Sequence, residues 1–147
     1  MRFSELVTVL QLSVSPVILI SGVGLLLLSM TNRFGRVIDR IRLVADASRK
    51  STGPDRDRFG AQLQMLRVRA KALRLAIILA VVSMLMAALL VITLFITAAT
   101  RSDYGLPVII LFLGSMLFLI SSLAVFIQDL NLSLAAVNVE IGEADQA

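Results

Sequence analysis

Cysteine, histidine and tryptophan are absent from this 147-residue chain, tyrosine occurs once, and 16% of the residues are charged. Without imidazole or thiolate, the metal sites built on them, thiol redox chemistry and disulfides are all excluded. The lack of cysteine identifies no compartment. Acid-base chemistry would fall to scattered carboxylates, and no nucleophile, base and orienting group stand together at an informative spacing. An enzyme is therefore not the expected class, and no catalytic residue, metal ligand or cofactor is expected.

Charge is missing from three long stretches, residues 6–32, 75–100 and 104–128. Each exceeds the ~20 residues a helix needs to cross a hydrocarbon core. None reads as a barrel strand, which would be roughly 9 to 11 residues of alternating polarity. With 58% apolar residues and a mean hydropathy of +0.92, the chain is too apolar for an ordinary soluble domain. The expected fold is an all-α integral membrane protein, a single membrane domain over 1–147 with three transmembrane helices at about 6–30, 75–98 and 106–128. Arg2 precedes the first run, but that run is too long for a secretory signal core and lacks a small-x-small end, so it is expected to remain as a span.

What charge there is lies in one place. Residues 31–74 hold twelve basic side chains against four acidic ones, a net +8, while the rest of the chain carries −4. Arg33, Arg36, Arg40 and Arg42 fall within ten residues immediately after the first apolar run. Because cytoplasmic loops carry the Lys and Arg excess, the N-terminus is expected outside and 31–74 inside, with the link 101–107 outside and the tail 129–147 inside. That describes a multi-pass protein of a cell's inner (plasma) membrane. The expected contacts are the bilayer and its anionic headgroups rather than nucleic acid, since the basic segment lacks interleaved aromatics.

The first span is more polar than an anchor requires. Ser4, Thr8, Gln11, Ser15, Gly22, Ser29 and Asn32 follow steps of three, four or seven, which places them near one helical stripe, interrupted by Ile18 and Leu25. Such a stripe faces another helix or water, because an unpartnered amide such as that of Gln11 costs several kcal/mol in hydrocarbon. Two readings stand: packing between helices, helped by Ser21, Gly22 and Gly24, and a water-lined path. Pro16 removes one backbone donor, a loss a spanning helix tolerates when a neighbour compensates.

Beyond Met30 the helical stripe continues through Phe34, Val37, Ile38, Ile41, Val44, Ala45 and Ser48, with Arg33, Arg36 and Arg40 on another face. Asp39 is placed to pair with Arg36 or Arg42. Gly35, costly in a helix, implies close approach of another backbone. Ser51 to Asp55 reads as a turn. After it Phe59, Leu63, Leu66, Ala70, Leu73 and Ile77 repeat at four and three, as in a coiled-coil seam. The pattern predicts a cytoplasmic antiparallel helical hairpin over 31–74 that extends the first two spans. The second span reads as scaffold, with Ser83, Thr93 and Thr97 as its polar members. After Asp129, Leu130, Leu134, Val137 and Ile141 recur at helical spacing. They predict a C-terminal helical extension that would bring Glu140, Glu143 and Asp145 to a basic neighbour, or else a solvated tail.

Pro16 to Gly24, with its Pro-x5-Gly-x-Gly pattern, and Thr31 to Arg42, with Thr-Asn-Arg-x2-Arg-x2-Asp-Arg, resemble a bacterial family known as domain of unknown function 2721. The resemblance covers nearly the whole chain and implies a fold and a membrane location. It draws attention to Pro16, Gly22, Gly24, Asn32, Arg33, Asp39 and Arg40 as signature positions, and implies no substrate.

Two functions compete. In the first, a homo-oligomeric channel passes ions along an axis lined by the first span. Thr8, Gln11, Ser15, Gly22, Ser29 and Asn32 line it, Ile18 and Leu25 form apolar gates, and Arg33, Arg36, Asp39 and Arg40 supply charge at the inner mouth or contact lipid. In the second, a non-conducting scaffold or regulator acts through the hairpin seam from Phe59 to Ile77.

The charge asymmetry predicts that a reporter active only inside the cell works when fused after residue 147. A reporter that folds only outside the cell should be silent there, and the opposite pattern would overturn the orientation.

Overall fold

A computed structural model describes residues 3–100 and 105–144, and the side chains of these except 3–6, 9, 54 and 132–144. Three helices account for the architecture: α1 (Phe3–Lys50), α2 (Pro54–Thr100) and α3 (Gly105–Ala144). No strand occurs among the described residues. All three are long and apolar enough to cross a membrane, and the chain is a multi-pass membrane protein. In hydrocarbon a backbone must satisfy its own polar groups, which a helix does within one segment.

α1 is one uninterrupted helix of 48 residues with Pro16 inside it. The expected continuation past Met30 is thus observed, and the helix ends at Lys50 with Arg49 and Lys50 in its last turn, where cations complement the dipole. The reversal is short. Ser51 Oγ donates to the Ala47 carbonyl at 2.9 Å, Gly53 takes the left-handed φ of 76° that favours glycine, and the Arg56 amide donates to the Gly53 carbonyl at 3.0 Å. Pro54 then starts α2, where its missing amide is harmless, and Asp55 and Asp57 lie in the first turn.

Two compact units divide the chain, and each helix contributes to both. In the unit formed by residues 1–29 and 78–122, α2 buries Ala80, Ser83, Ala87 and Leu90 at steps of three and four. α1 buries Ser13, Pro16 and Val23, and α3 buries Ser115 and Ser122. Small residues at these positions let helix backbones approach where no hydrophobic drive separates protein from lipid. Ser83 and Ser115 cross-link α2 and α3, each hydroxyl donating to the other's carbonyl, at 2.8 and 3.2 Å. Gly114 leaves room for Met86, whose sulfur lies 2.8 Å from where a Cβ would stand. Thr93, Thr97 and Thr100 instead donate to the carbonyls four residues before them, at 2.8 to 2.9 Å. Of the polar residues singled out on α2, Ser83 makes the cross-link to α3, and Thr93 and Thr97 bond within their own helix.

The other unit comprises residues 30–77 and 123–147. Its core is Val37, Leu66 and Leu73, with Phe34, Ile41, Val44, Ala70 and Phe126 packed against them. The α1 stripe and the α2 seam expected from periodicity therefore meet each other. The expected close approach at Gly35 is not found. Among the described residues, nothing lies within 4 Å of the Cβ position at Gly22, Gly24 or Gly35, so none of them admits a neighbouring described backbone. α3 runs on as helix past Asp129 to Ala144, whereas the side chains of Leu134, Val137, Ile141, Glu140, Glu143 and Asp145 lie outside the described residues.

Leu73 is 0% exposed and Leu43 is 72% exposed. Leu73→Ala should cost about 2–5 kcal/mol in detergent unfolding, and Leu43→Ala less than about 0.5 kcal/mol. Similar losses for both would contradict this core.

Candidate functional site

The stripe on α1 turns away from the rest of the chain. Thr8, Gln11, Ser15, Ile18, Gly22, Leu25, Ser29 and Asn32 are all exposed, Ile18 at 65% and Leu25 at 70%. The buried positions of the same helix are Ser13, Pro16, Val23, Met30 and Val37. Ser15 and Ser13, Ile18 and Pro16, and Leu25 and Val23 each differ by two residues, about 200° around a helix. The two faces are thus opposed, and the sequence pattern now has an assignment. Packing of the polar stripe against α2 or α3 of the same chain, one of the two readings it allowed, is not what the structure has.

The second cluster lies in the unit of residues 30–77 and 123–147. Arg33, Arg36 and Arg40 stand at i, i+3 and i+7 on α1, so one face of the helix carries all three. α2 adds Arg69 and α3 adds Asp129, and together they line a cavity of about 200 Å³ floored by Val37, Leu66 and Leu73. Asp129 is 1% exposed, and its Oδ1 accepts a hydrogen bond from Arg69 Nε at 3.2 Å. The guanidinium carbon of Arg33 lies 5.7 Å from the centre of the Phe126 ring, within cation–π range. Arg36 and Arg40 are exposed and form no ion pair among the described residues.

Of the four residues expected at an inner mouth, the structure brings Arg33, Arg36 and Arg40 to one cavity. Asp39 is exposed, does not line it, and makes no ion pair with Arg36 or Arg42 among the described residues. The expected local neutralisation of the arginine row is therefore not made. The compensating carboxylate comes from α3 and reaches Arg69 instead. Sequence reading treated Asp129 as the end of a span and gave it no role. The available signal was an acid directly after an apolar run and three residues after Phe126, in a chain whose arginines outnumber their local acids. The seam residues proposed as a partner surface are likewise reassigned: Leu66 and Leu73 are in the core and Leu63 is half-buried.

The family model described as "Protein of unknown function (DUF2721)" matches residues 13–139. No curated protein and no solved structure matches the chain. The match takes in the exposed stripe from Ser15 onward and every residue of the arginine cavity.

Breaking a buried ion pair from one side strands the other charge, whereas replacing both by apolar residues is often neutral. Asp129→Ala should destabilise by about 3 kcal/mol, the low end because Arg69 keeps 27% of its side-chain exposure. Arg69→Met combined with Asp129→Leu should recover most of that loss in unfolding measurements. A double variant as unstable as Asp129→Ala would show that the pair does more than satisfy its own charges.

Proposed function

The chain belongs to this family of unknown function, and from its own structure we propose a homo-oligomeric membrane channel in which α1 of each copy faces a common axis and ions pass along it. The observation that carries this reading is the outward polar face of α1. A bilayer offers no partner to the amide of Gln11 on that face, which alone would cost several kcal/mol there. Identical chains arranged about an axis give every copy the same remedy, and closed rotational symmetry is the usual form of such assemblies. Thr8, Gln11, Ser15, Gly22, Ser29 and Asn32 then line the path, and Ile18 and Leu25 constrict it by excluding water. The open space beside Gly22 and Gly24 supports the same view, since these positions leave α1 free to approach a second copy closely.

In this reading the protein sits in the inner membrane with its N-terminus outside. The hairpin over 31–74 and the tail are cytoplasmic, and the arginines mark the inner mouth. A specific observation also favours the second reading, a non-conducting scaffold. Met65 and Val68 on α2 are 73% and 58% exposed, an apolar surface outside the chain's own core and next to a charged segment. They, rather than Leu63 and Leu66, are the residues such a partner would cover.

Reconstitution in liposomes separates the two. Ile18→Ser and Leu25→Ser should each raise ion flux severalfold with the oligomer mass unchanged. A stable oligomer without flux, or flux in both variants unchanged from the wild type, would sink the channel. In the scaffold reading, Met65→Glu with Val68→Glu abolishes partner capture and leaves flux as it was.

A further inference from the structure

The cavity of α1, α2 and α3 has more charge than its structural role uses. Four arginines and one aspartate line it, a net +3 around about 200 Å³. Asp129 is engaged with Arg69, and Phe126 backs Arg33, so two of the four cations are held in place by the protein. Arg36 and Arg40 are not held by an ion pair among the described residues, and they stand one helical turn apart, a like-charged spacing that destabilises a helix. Solubility does not call for this arrangement. Arginines that served only as a topology signal would fan into solvent instead of converging with Arg69 over an apolar floor.

We propose that this cavity binds the phosphate group of a small anion or of a lipid headgroup. Guanidinium forks match phosphate oxygens in pairs, and a phosphate has the oxygens and the charge to engage several arginines at once. The volume lies below the ~300 Å³ at which sites for drug-sized ligands begin, so it takes a head of that size rather than a larger molecule. Arg33 follows the uncharged run of the first span directly, which is the depth at which headgroup phosphates lie when that run spans a bilayer. A nucleic acid strand is disfavoured, because among the described residues no aromatic ring lines the cavity and Phe126 beside it lies against Arg33 rather than open for stacking. The site does not depend on ion passage and would serve a channel or a scaffold equally.

The test uses the full chain in a phosphate-free maltoside detergent, titrated with inorganic phosphate or, separately, with short-chain phosphatidic acid. Bound phosphate or lipid is counted by native mass spectrometry. Saturable uptake near one phosphate group per chain is expected. Arg36→Gln with Arg40→Gln should weaken it roughly tenfold or more, the loss expected for charge-assisted hydrogen bonds. Arg49→Gln with Lys50→Gln, the same change in charge at the exposed end of α1, should leave it unaltered. Uptake of inorganic phosphate in the detergent assigns the site to a soluble anion. Uptake confined to phosphatidic acid assigns it to a headgroup. The proposal is overturned if neither probe binds saturably, if the Arg36 and Arg40 variant binds as the wild type does, or if the control weakens binding equally. Because Arg36 and Arg40 are exposed and outside the core, the double variant should be at least as stable as the wild type, so a loss of binding reads as a lost contact.

Discussion

Every polar group that enters hydrocarbon must find a partner, and most features of this protein answer to that constraint. The backbone meets it by remaining helical over spans of 48, 47 and 40 residues. Thr93, Thr97 and Thr100 meet it within α2 by donating to carbonyls one turn back. Ser83 and Ser115 meet it between helices, where paired serines also give the close contact that Ala80 and Ala87 continue. The face of α1 that carries Gln11 and Ser15 is the exception, exposed on a helix otherwise suited to lipid. Where a constraint this general is met on α2 and α3 but not, among the described residues, at Gln11 and Ser15 of α1, the face that carries those two is the place to seek the protein's activity.

Much of the fold was legible because its signals are long. Three uncharged runs fix three helices, since a residue-by-residue error in hydropathy cannot erase a run of more than twenty residues. The stripe Phe34, Val37, Ile41, Val44 and the seam Leu66, Ala70, Leu73 were readable for a related reason: both repeat at helical spacing in segments charged enough to make the apolar positions stand out. Gly53 and Pro54 marked the reversal through backbone geometry, one supplying a positive φ and the other a natural first helical residue. The direction in which the polar stripe of α1 points was not legible. Periodicity gives the residues that share a face and is silent on what that face meets.

The arginine cavity was half legible for the same cause. Arg33, Arg36 and Arg40 share a face by spacing alone, whereas Arg69 and Asp129 are sixty residues apart and meet through the packing of two different helices. Local pairing rules pointed to Asp39, because neighbours on one helix are visible in a sequence. Burial decided otherwise. A carboxylate at 1% exposure gains far more from a guanidinium than an exposed one does, so the pair that matters is the buried one from α3, and Asp39 remains in solvent.

Arg36 belongs to the arginine cavity and also to the sequence register of the stripe. It lines the cavity, and its number continues the alternating steps of three and four through Ser15, Ile18, Gly22, Leu25, Ser29 and Asn32. A side chain in that register is available either to a bound anion or to whatever approaches the exposed face of α1. If copies of α1 come together along the stripe, their Arg36 side chains converge and repel, and a phosphate that neutralises each of them removes that repulsion. Anion binding would then favour assembly by its differential affinity for the assembled state, and by linkage assembly would tighten anion binding to the same degree. A chain built only to anchor itself has no use for such coupling, whereas one whose assembly responds to the charge or composition of its membrane does.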